Sequence, residues 1–449
     1  MLFCGLALAS SALAAEAIWT GTTNNPFTSS NWTPNTNFAQ GTGSSTVAVF
    51  EQSPSAIKGL VVTGGDKVNS AFGVGGIVVK EGATGYTISS GGGYGRYLIL
   101  NAAAGSSSCL LDINEDFRIF KNSTSFQMVI NSDVEMKVAA GKTLTIDVGL
   151  VSLNTQTTKE ITLSGGGNVT FAPVTSTHTL STSLVDNWTI KDGTTLTVKN
   201  NTANAFGSGK ITLQNGILNA YAGSTFSNQI IIAGTTDTSV NTIKNATGYT
   251  GSLILQKGIL DLNNQDFANG ATITVNGNGT ITNASGFNQS ITVTNGSTLD
   301  LASNLGNATS LLVSSGGKVN LQAGVNAVVA SMSLSLGMDS MTNPVLSLKT
   351  GSSLDCTGLI IIDIDFMGVA GQEYTFNIIS SEDGTLSLDG WDKDKFVLTE
   401  ESLKNWNTIS FDVTNGSGYL TLQAIPEPTT ATLSLFGLGA LLLRRRRTI

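Results

Sequence analysis

The chain has 449 residues, 51 of them Gly and only 12% charged; with 40% hydrophobic residues it holds ample apolar surface for a core, which excludes a disordered chain. The formal charge is −8, and setting aside Glu427 and the four Arg after Ile425 reduces 31 acidic and 23 basic residues to 30 and 19. Such an acidic body without a basic stripe excludes nucleic acid as a partner.

The chain opens with MLFCGLALASSALAAEA. Leu2 to Leu13 form an apolar run of signal-peptide length, too short to span a bilayer as an ordinary helix. Ala12 and Ala14 occupy the small-residue positions of an A-x-A cleavage site, so residues 1–14 read as a signal peptide that passes the Sec translocon and is removed. No Lys or Arg precedes the run; either the true start lies upstream of Met1 or the signal is unusually lean. The other reading is a buried N-terminal element. Cys4 leaves with the signal. Cys109 and Cys356 remain, to pair in an oxidising compartment or, more plainly, to sit as two buried thiols.

Ser, Thr, Asn and Gly fill much of the rest of the body. Thr and Val suit strands, and Asn and Gly suit turns, so residues 15–160 are expected to be an N-terminal β region of early coils. From residue 161 to 370 the sequence repeats with a period near twenty: WTIKDGTTLTV from Trp188, ITLQNGILNA from Ile211, SLILQKGILDL from Ser252, ATITVNGNGTITNA from Ala271, SITVTNGSTLDLA from Ser290 and SLLVSSGGKVNLQA from Ser310. VLSLKTGSSLDC from Val345 keeps the form after a longer interval. Each unit is two short alternating strands about a Gly-bearing turn. The period predicts a solenoid whose strands stack on their equivalents in the next coil. In the unit at 290, Ile291, Val293, Leu299 and Leu301 are expected inside, and Thr292, Thr294 and Asp300 outside. A sandwich of antiparallel hairpins competes, because NG turns also suit hairpins.

The pattern G-x-I-T-L-x-x-G-x-L, present as GKITLQNGILNA from Gly209, resembles autotransporter-associated β-strand repeats. IWTGTTNNPFTSSNWTP, with Trp19 and Trp32, looks like the opening segment of such proteins. The resemblance implies a right-handed parallel β-helix displayed at a cell surface. It is clear for about residues 160–360 and weaker from 33 to 160.

Residues 371–425 depart from the repeat, with Tyr374, Phe376, Trp391, Phe396, Trp406, Phe411 and Tyr419. They read as a small β cap, since the last coil would otherwise present a naked strand edge.

Sites for chemistry are sparse. His178 is the only His and has no nucleophile-elbow partner. Metal-ligand clusters of Cys and His are absent from the sequence, and no cofactor is expected. Asp363 and Asp365 in LIIIDIDF share one strand face. They would suit Ca²⁺ or glycosidic acid–base chemistry; strand alternation instead makes them a polar outer face opposite Ile362, Ile364 and Phe366. Thr-x-Thr triplets start at Thr143, Thr195, Thr272, Thr280 and Thr292. A flat array of them would form an ice-binding face, but the row does not continue into the SLLV coil, and β-propensity explains them more simply.

The last residues read IPEPTTATLSLFGLGALLLRRRRTI. Pro426, Glu427 and Pro428 break the last strand. Residues 429–443 form an uncharged apolar stretch, a helix of about 22 Å against a hydrocarbon core of about 30 Å. Arg444, Arg445, Arg446 and Arg447 would stay in the cytoplasm and anchor a short membrane span. This order resembles the PEP-CTERM sorting tail of Gram-negative bacteria, covering residues 426–449. The resemblance implies cleavage near the P-E-P triplet by an exosortase, a membrane-embedded cysteine transpeptidase, after transient inner-membrane anchoring. A plain C-terminal anchor is the alternative. The whole reads as an exported, non-enzymatic structural or adhesive protein of the cell surface or extracellular matrix. A polysaccharide-active β-helix enzyme and a glycan-binding module are the rivals, with an extracellular polysaccharide or glycan as the partner.

Overall fold

The computed structural model describes residues 15–425 apart from positions 22, 25–30, 35–45, 53–57, 63–71, 91–95, 122–125, 153–157, 172–186, 200–205, 269, 309, 385–390 and 392. The expected signal peptide, the expected tail and His178 lie outside the described residues. The chain divides into two compact units, Met1–Ala271 and Thr272–Ile449, and both are almost entirely β.

The first unit is a parallel β-coil. One ladder starts with Glu16–Trp19 beside Val47–Phe50 and runs on through Gly76–Val79, Ser108–Ile113, Asp133–Val138 and Glu160–Ser164. It continues through Asn187–Lys191, Ile211–Gln214 and Ile230–Ala233 to the first half of Ser252–Asp261. A second ladder carries Gly59–Val62, Thr87–Ser90, Phe117–Phe120, Thr143–Asp147, Asn168–Phe171, Thr195–Val198, Ile217–Asn219 and Val240–Lys244 to the second half of the same long strand. A third face is built by Phe72–Val74, Arg96–Leu100, Phe126–Ile130 and Gly149–Ser152. The first two ladders continue past residue 160, whereas the third face ends at Ser152.

Parallel stacking places equivalent residues of successive coils in register, so one inward position becomes a continuous apolar file. Ala48, Ile77, Leu111, Met136, Leu163, Ile190, Leu213, Ile232 and Leu255 form such a file, and all are fully buried. Burying one such aliphatic side chain contributes about 1.5–3 kcal/mol.

The NG turn at Asn215–Gly216 decides between coil and hairpin. The strands on its two sides do not pair with each other; each pairs with the next coil. Asn215 has φ 68°, and its amide donates to Asn241 Oδ1 at 2.6 Å. A methyl on Gly216 would lie 2.4 Å from the Ile190 carbonyl oxygen. The turn is therefore a corner packed tightly on the coil before it.

The period is less regular than the sequence suggests. Ile211 lies beside Ile230, an interval of 19, whereas Glu16 lies beside Val47, an interval of 31. What repeats is the strand register; the connections lie outside the ladders, and loop closure costs little more as a loop lengthens.

A column of rings also threads the first unit. Phe171, Trp188, Phe206, Phe226, Tyr249 and Phe267 follow one another at centroid distances of 6.5, 6.3, 5.3, 5.0 and 5.4 Å, and all are buried. Their polar atoms are satisfied across coils. Trp188 Nε1 donates to the Phe206 carbonyl at 3.1 Å, and the Tyr249 hydroxyl to the Asn228 carbonyl at 3.0 Å.

The second unit has the same construction. Thr272–Thr282 supplies a strand to each of two ladders. One passes through Ser290–Val293, Leu311–Val313, Met332–Leu336 and Ile360–Ile364 to Phe396–Leu398. The other passes through Thr298–Leu301, Lys318–Leu321 and Leu346–Leu348 to the end of Glu373–Ser381. Asn307–Ala308, Asn326–Val329 and Ser353–Cys356 form a third face. Ile291, Val293, Leu299 and Leu301 are fully buried, and Thr292, Thr294 and Asp300 are partly exposed.

The C-terminal segment is a three-stranded antiparallel sheet in which Ser417–Ala424 lies between Glu373–Ser381 and Trp406–Thr414. The parallel ladders extend into it through Ile379–Ser381 and Phe396–Leu398. Among the described residues no helix is long and apolar enough to cross a membrane; the expected span at 429–443 lies outside them.

Candidate functional site

The two acids of LIIIDIDF have different fates. Asp363 Oδ1 accepts from the Thr399 hydroxyl at 2.8 Å and from the Ser402 hydroxyl at 3.0 Å. Thr399 is the N-cap of the short helix Glu400–Leu403, accepting from the Ser402 amide at 3.2 Å. The Ile364 amide donates to Ser402 Oγ at 2.9 Å. Asp363 thus fastens this helix over the outer side of its strand, while Asp365 is exposed. Ile362 is fully buried, but Ile364 and Phe366 are only partly so. No group of three His, Cys, Asp or Glu side chains arranged to hold a metal occurs among the described residues.

Both thiols are free and buried. Burial pushes the Cys109 thiol up to about 12 and also raises Cys356. Neither supplies a thiolate at neutral pH.

The threonine triplets come together only in short rows. Thr145, Thr170 and Thr197 are cross-strand neighbours, as are Thr143, Asn168 and Thr195, but Ile217 and Asn219 take the next rung. In the second unit Thr274 faces Thr292, and Leu312 follows.

The strongest site is the point where the chain leaves the fold. The Ala424 amide donates to the Gln372 carbonyl at 3.0 Å, and its carbonyl accepts from the Gly371 amide at 2.7 Å. The Ile425 amide donates to the Asn405 carbonyl at 2.7 Å. Hydrogen bonding therefore holds the chain up to the residue before Pro426, which has no N–H to continue it. Beneath this exit Trp406 is 1% exposed, in edge contact with Phe366 at 5.3 Å and Tyr374 at 5.2 Å. Gly368 closes the platform: a methyl there would lie 2.4 Å from Trp406 Cη2 and 2.7 Å from Ala424 Cβ. The loop carrying Gly368 is a feature that sequence reasoning missed. Its only signal is the order Met-Gly-Val, which gains meaning once Ala424 is seen against it.

A family model described as the PEP-CTERM protein-sorting motif matches residues 424–447. The match includes Pro426, Glu427, Pro428 and the arginines 444–447, and it begins on Ala424, the last residue of the last strand. No curated protein and no solved structure matches the chain. The motif marks an exosortase-sorted protein, exported to the surface or the extracellular space.

Proposed function

We propose that the chain is a non-enzymatic structural or adhesive protein of the cell surface or extracellular matrix. Residues 1–14 direct it through the Sec translocon and are removed after Ala14. The β-coil, of the autotransporter-associated repeat type and right-handed, is the displayed part. Residues 429–443 hold the precursor in the inner membrane with Arg444–Arg447 on the cytoplasmic side, until exosortase cuts at the Pro426–Glu427–Pro428 triplet. An extracellular glycan is the partner class that a polar outer face with short threonine rows suits.

One observation carries this reading: the sorting motif abuts the fold with hydrogen bonds intact to Ile425. Cleavage within or after the triplet therefore severs no strand, and the released body keeps every described element. The non-enzymatic half draws on Asp363 being engaged by Thr399 and Ser402 and on two buried thiols.

The test is an intact-mass measurement of the protein from the native host, with and without Pro426→Ala and Glu427→Ala together. The wild type is expected at the surface, cut near the triplet and beginning near Ala15, with the double variant retained uncut in the inner membrane. A double variant that reaches the surface at the same mass would falsify sorting by the tail.

A further inference from the structure

The chain is hydrogen-bonded into the end sheet through Ile425, and the apolar stretch of the tail starts at Thr429. Pro426, Glu427 and Pro428 alone separate them, a reach of about 10 Å fully extended. The surface around Ile425 must therefore face the membrane while the tail is embedded in it.

That surface carries two apolar side chains held outward. Met367 and Val369 are each 63% exposed. Gly368 between them is pressed on Trp406 and Ala424, with no room for a methyl, so the loop lies flat on the end of the last strand and its flanking side chains point away. The Val369 amide donates to the Tyr374 hydroxyl at 2.8 Å, and the Tyr374 ring packs on Trp406. The loop is thus mounted on a rigid aromatic base, and nothing among the described residues covers Met367 or Val369.

We propose that the Met367–Val369 loop is a membrane-contact surface that enters the headgroup–acyl boundary of the bilayer holding the tail, and so seats the end sheet on the membrane with the Pro-Glu-Pro triplet at a set height. The proposal rests on the reading of the tail as a membrane-embedded sorting signal. Lipid is the partner because the tail's apolar stretch begins four residues beyond Ile425. The exposed charges flanking the loop, Asp365 and Glu373, are acidic, and exposed Lys404 beside Asn405 is paired with Glu401, so attraction to anionic headgroups is not the basis of the contact. The tether supplies the local concentration that lets a small contact form. Insertion by about 5–10 Å is the depth at which such side chains lie. A contact this small does not hold an untethered protein, so cutting the tail also frees the loop.

The experiment uses the full chain with one introduced cysteine, at Met367→Cys, Val369→Cys or Val413→Cys. Cys109 and Cys356 are buried and Cys4 is replaced by Ser in every variant, so an environment-sensitive fluorophore labels the introduced site. Val413 is a matched control: it is half exposed and pairs with Gly418, six residues and about 20 Å from Ala424 along the same strand. The labelled chains are reconstituted into phosphatidylcholine vesicles with and without lipids bearing a nitroxide near the headgroup. Emission at 367 and 369 is expected to shift to the blue and to be quenched by the nitroxide, while the label at 413 reads as in water. A chain that floats with the vesicles while the labels at 367 and 369 stay in water overturns this proposal and leaves the sorting reading standing. A chain that does not float overturns both. A blue shift that follows protein concentration and ignores the nitroxide assigns the loop to a second copy and overturns the membrane contact.

Discussion

The aromatic column of the first unit and the aromatic platform at the chain's exit use the same residue types in opposite ways. From Phe171 to Phe267 each ring touches the next in single file, and the arrangement follows from stacking similar coils. Around Trp406, by contrast, Phe366 and Tyr374 meet one ring and each other in a three-ring cluster, and Gly368 sets how closely the loop can lie. The column spreads its contacts along the chain, so losing one ring disturbs the coils on both sides. The platform gathers its contacts at one place, so its loss stays local.

The largest expected effect breaks the column. Trp188 is 2% exposed and donates through Nε1, so Trp188→Ala should cost about 3–5 kcal/mol. Hydrogen exchange should rise in Glu160–Ser164 and Ile211–Gln214 as well as in Asn187–Lys191, its own strand. Trp406→Ala, of similar burial, should raise exchange only in the three strands of the end sheet. If protection were lost in Asn187–Lys191 alone, the column would be a row of independent contacts and the contrast would collapse.

Gly368→Val comes next and sharpens the platform side. Its side chain has no space between Trp406 and Ala424, and overpacking of this kind costs about 1–3 kcal/mol. Tryptophan emission should change while the melting of the first unit does not. Asp363→Ala should follow at about 1–3 kcal/mol, because the Thr399 and Ser402 hydroxyls lose their acceptor. Asp363→Asn, which keeps an acceptor, should recover most of that in a thermal melt. Full stability of Asp363→Ala joined to a loss of polysaccharide cleavage would instead revive a catalytic role for this acid.

These contrasts mark where the sequence was legible. Strand alternation is local, so Ile291, Val293, Leu299 and Leu301 could be placed inside from their spacing alone. The P-E-P triplet, the apolar stretch and the arginines were readable because a sorting signal is read along the chain. The early coils were harder, because connections such as the one between Glu16–Trp19 and Val47–Phe50 stretch the period. The column was missed because Phe206, Phe226, Tyr249 and Phe267 lie in connecting segments outside the alternating strands. The Gly368 platform was illegible for a different reason: its partners Trp406 and Ala424 are distant in sequence and meet only after the antiparallel sheet forms.

The smallest expected effect concerns how the early coils are fastened outside their apolar files. Glu115 Oε2 accepts from Lys142 Nζ at 2.6 Å, and its Oε1 accepts from the Gly82 amide at 3.0 Å, so one carboxylate bridges segments on both sides of it. These two hydrogen bonds, that from Lys142 foremost, hold the Glu115 carboxyl below its ordinary value. Lys142 is raised in turn, chiefly by Glu115, with Asp116 and Glu81 adding to it. A carboxyl depressed on folding stabilises fully above its unfolded value, about 4.3 for Glu, and loses that contribution as pH falls through the lower folded value. Raising the pH from 5 to 8 should leave it unchanged, since Lys142 stays protonated there. Glu115→Gln keeps an acceptor for Gly82 but carries no charge for Lys142. It should therefore melt slightly below the wild type at pH 7, and the gap should close in strong acid, once Glu115 is protonated in both folded and unfolded chains. Added salt should narrow the gap at pH 7, because Lys142 is partly exposed. A gap that stays constant from pH 7 into strong acid would mean that Glu115 fastens the coils by its shape and its bond to Gly82, and not by its charge.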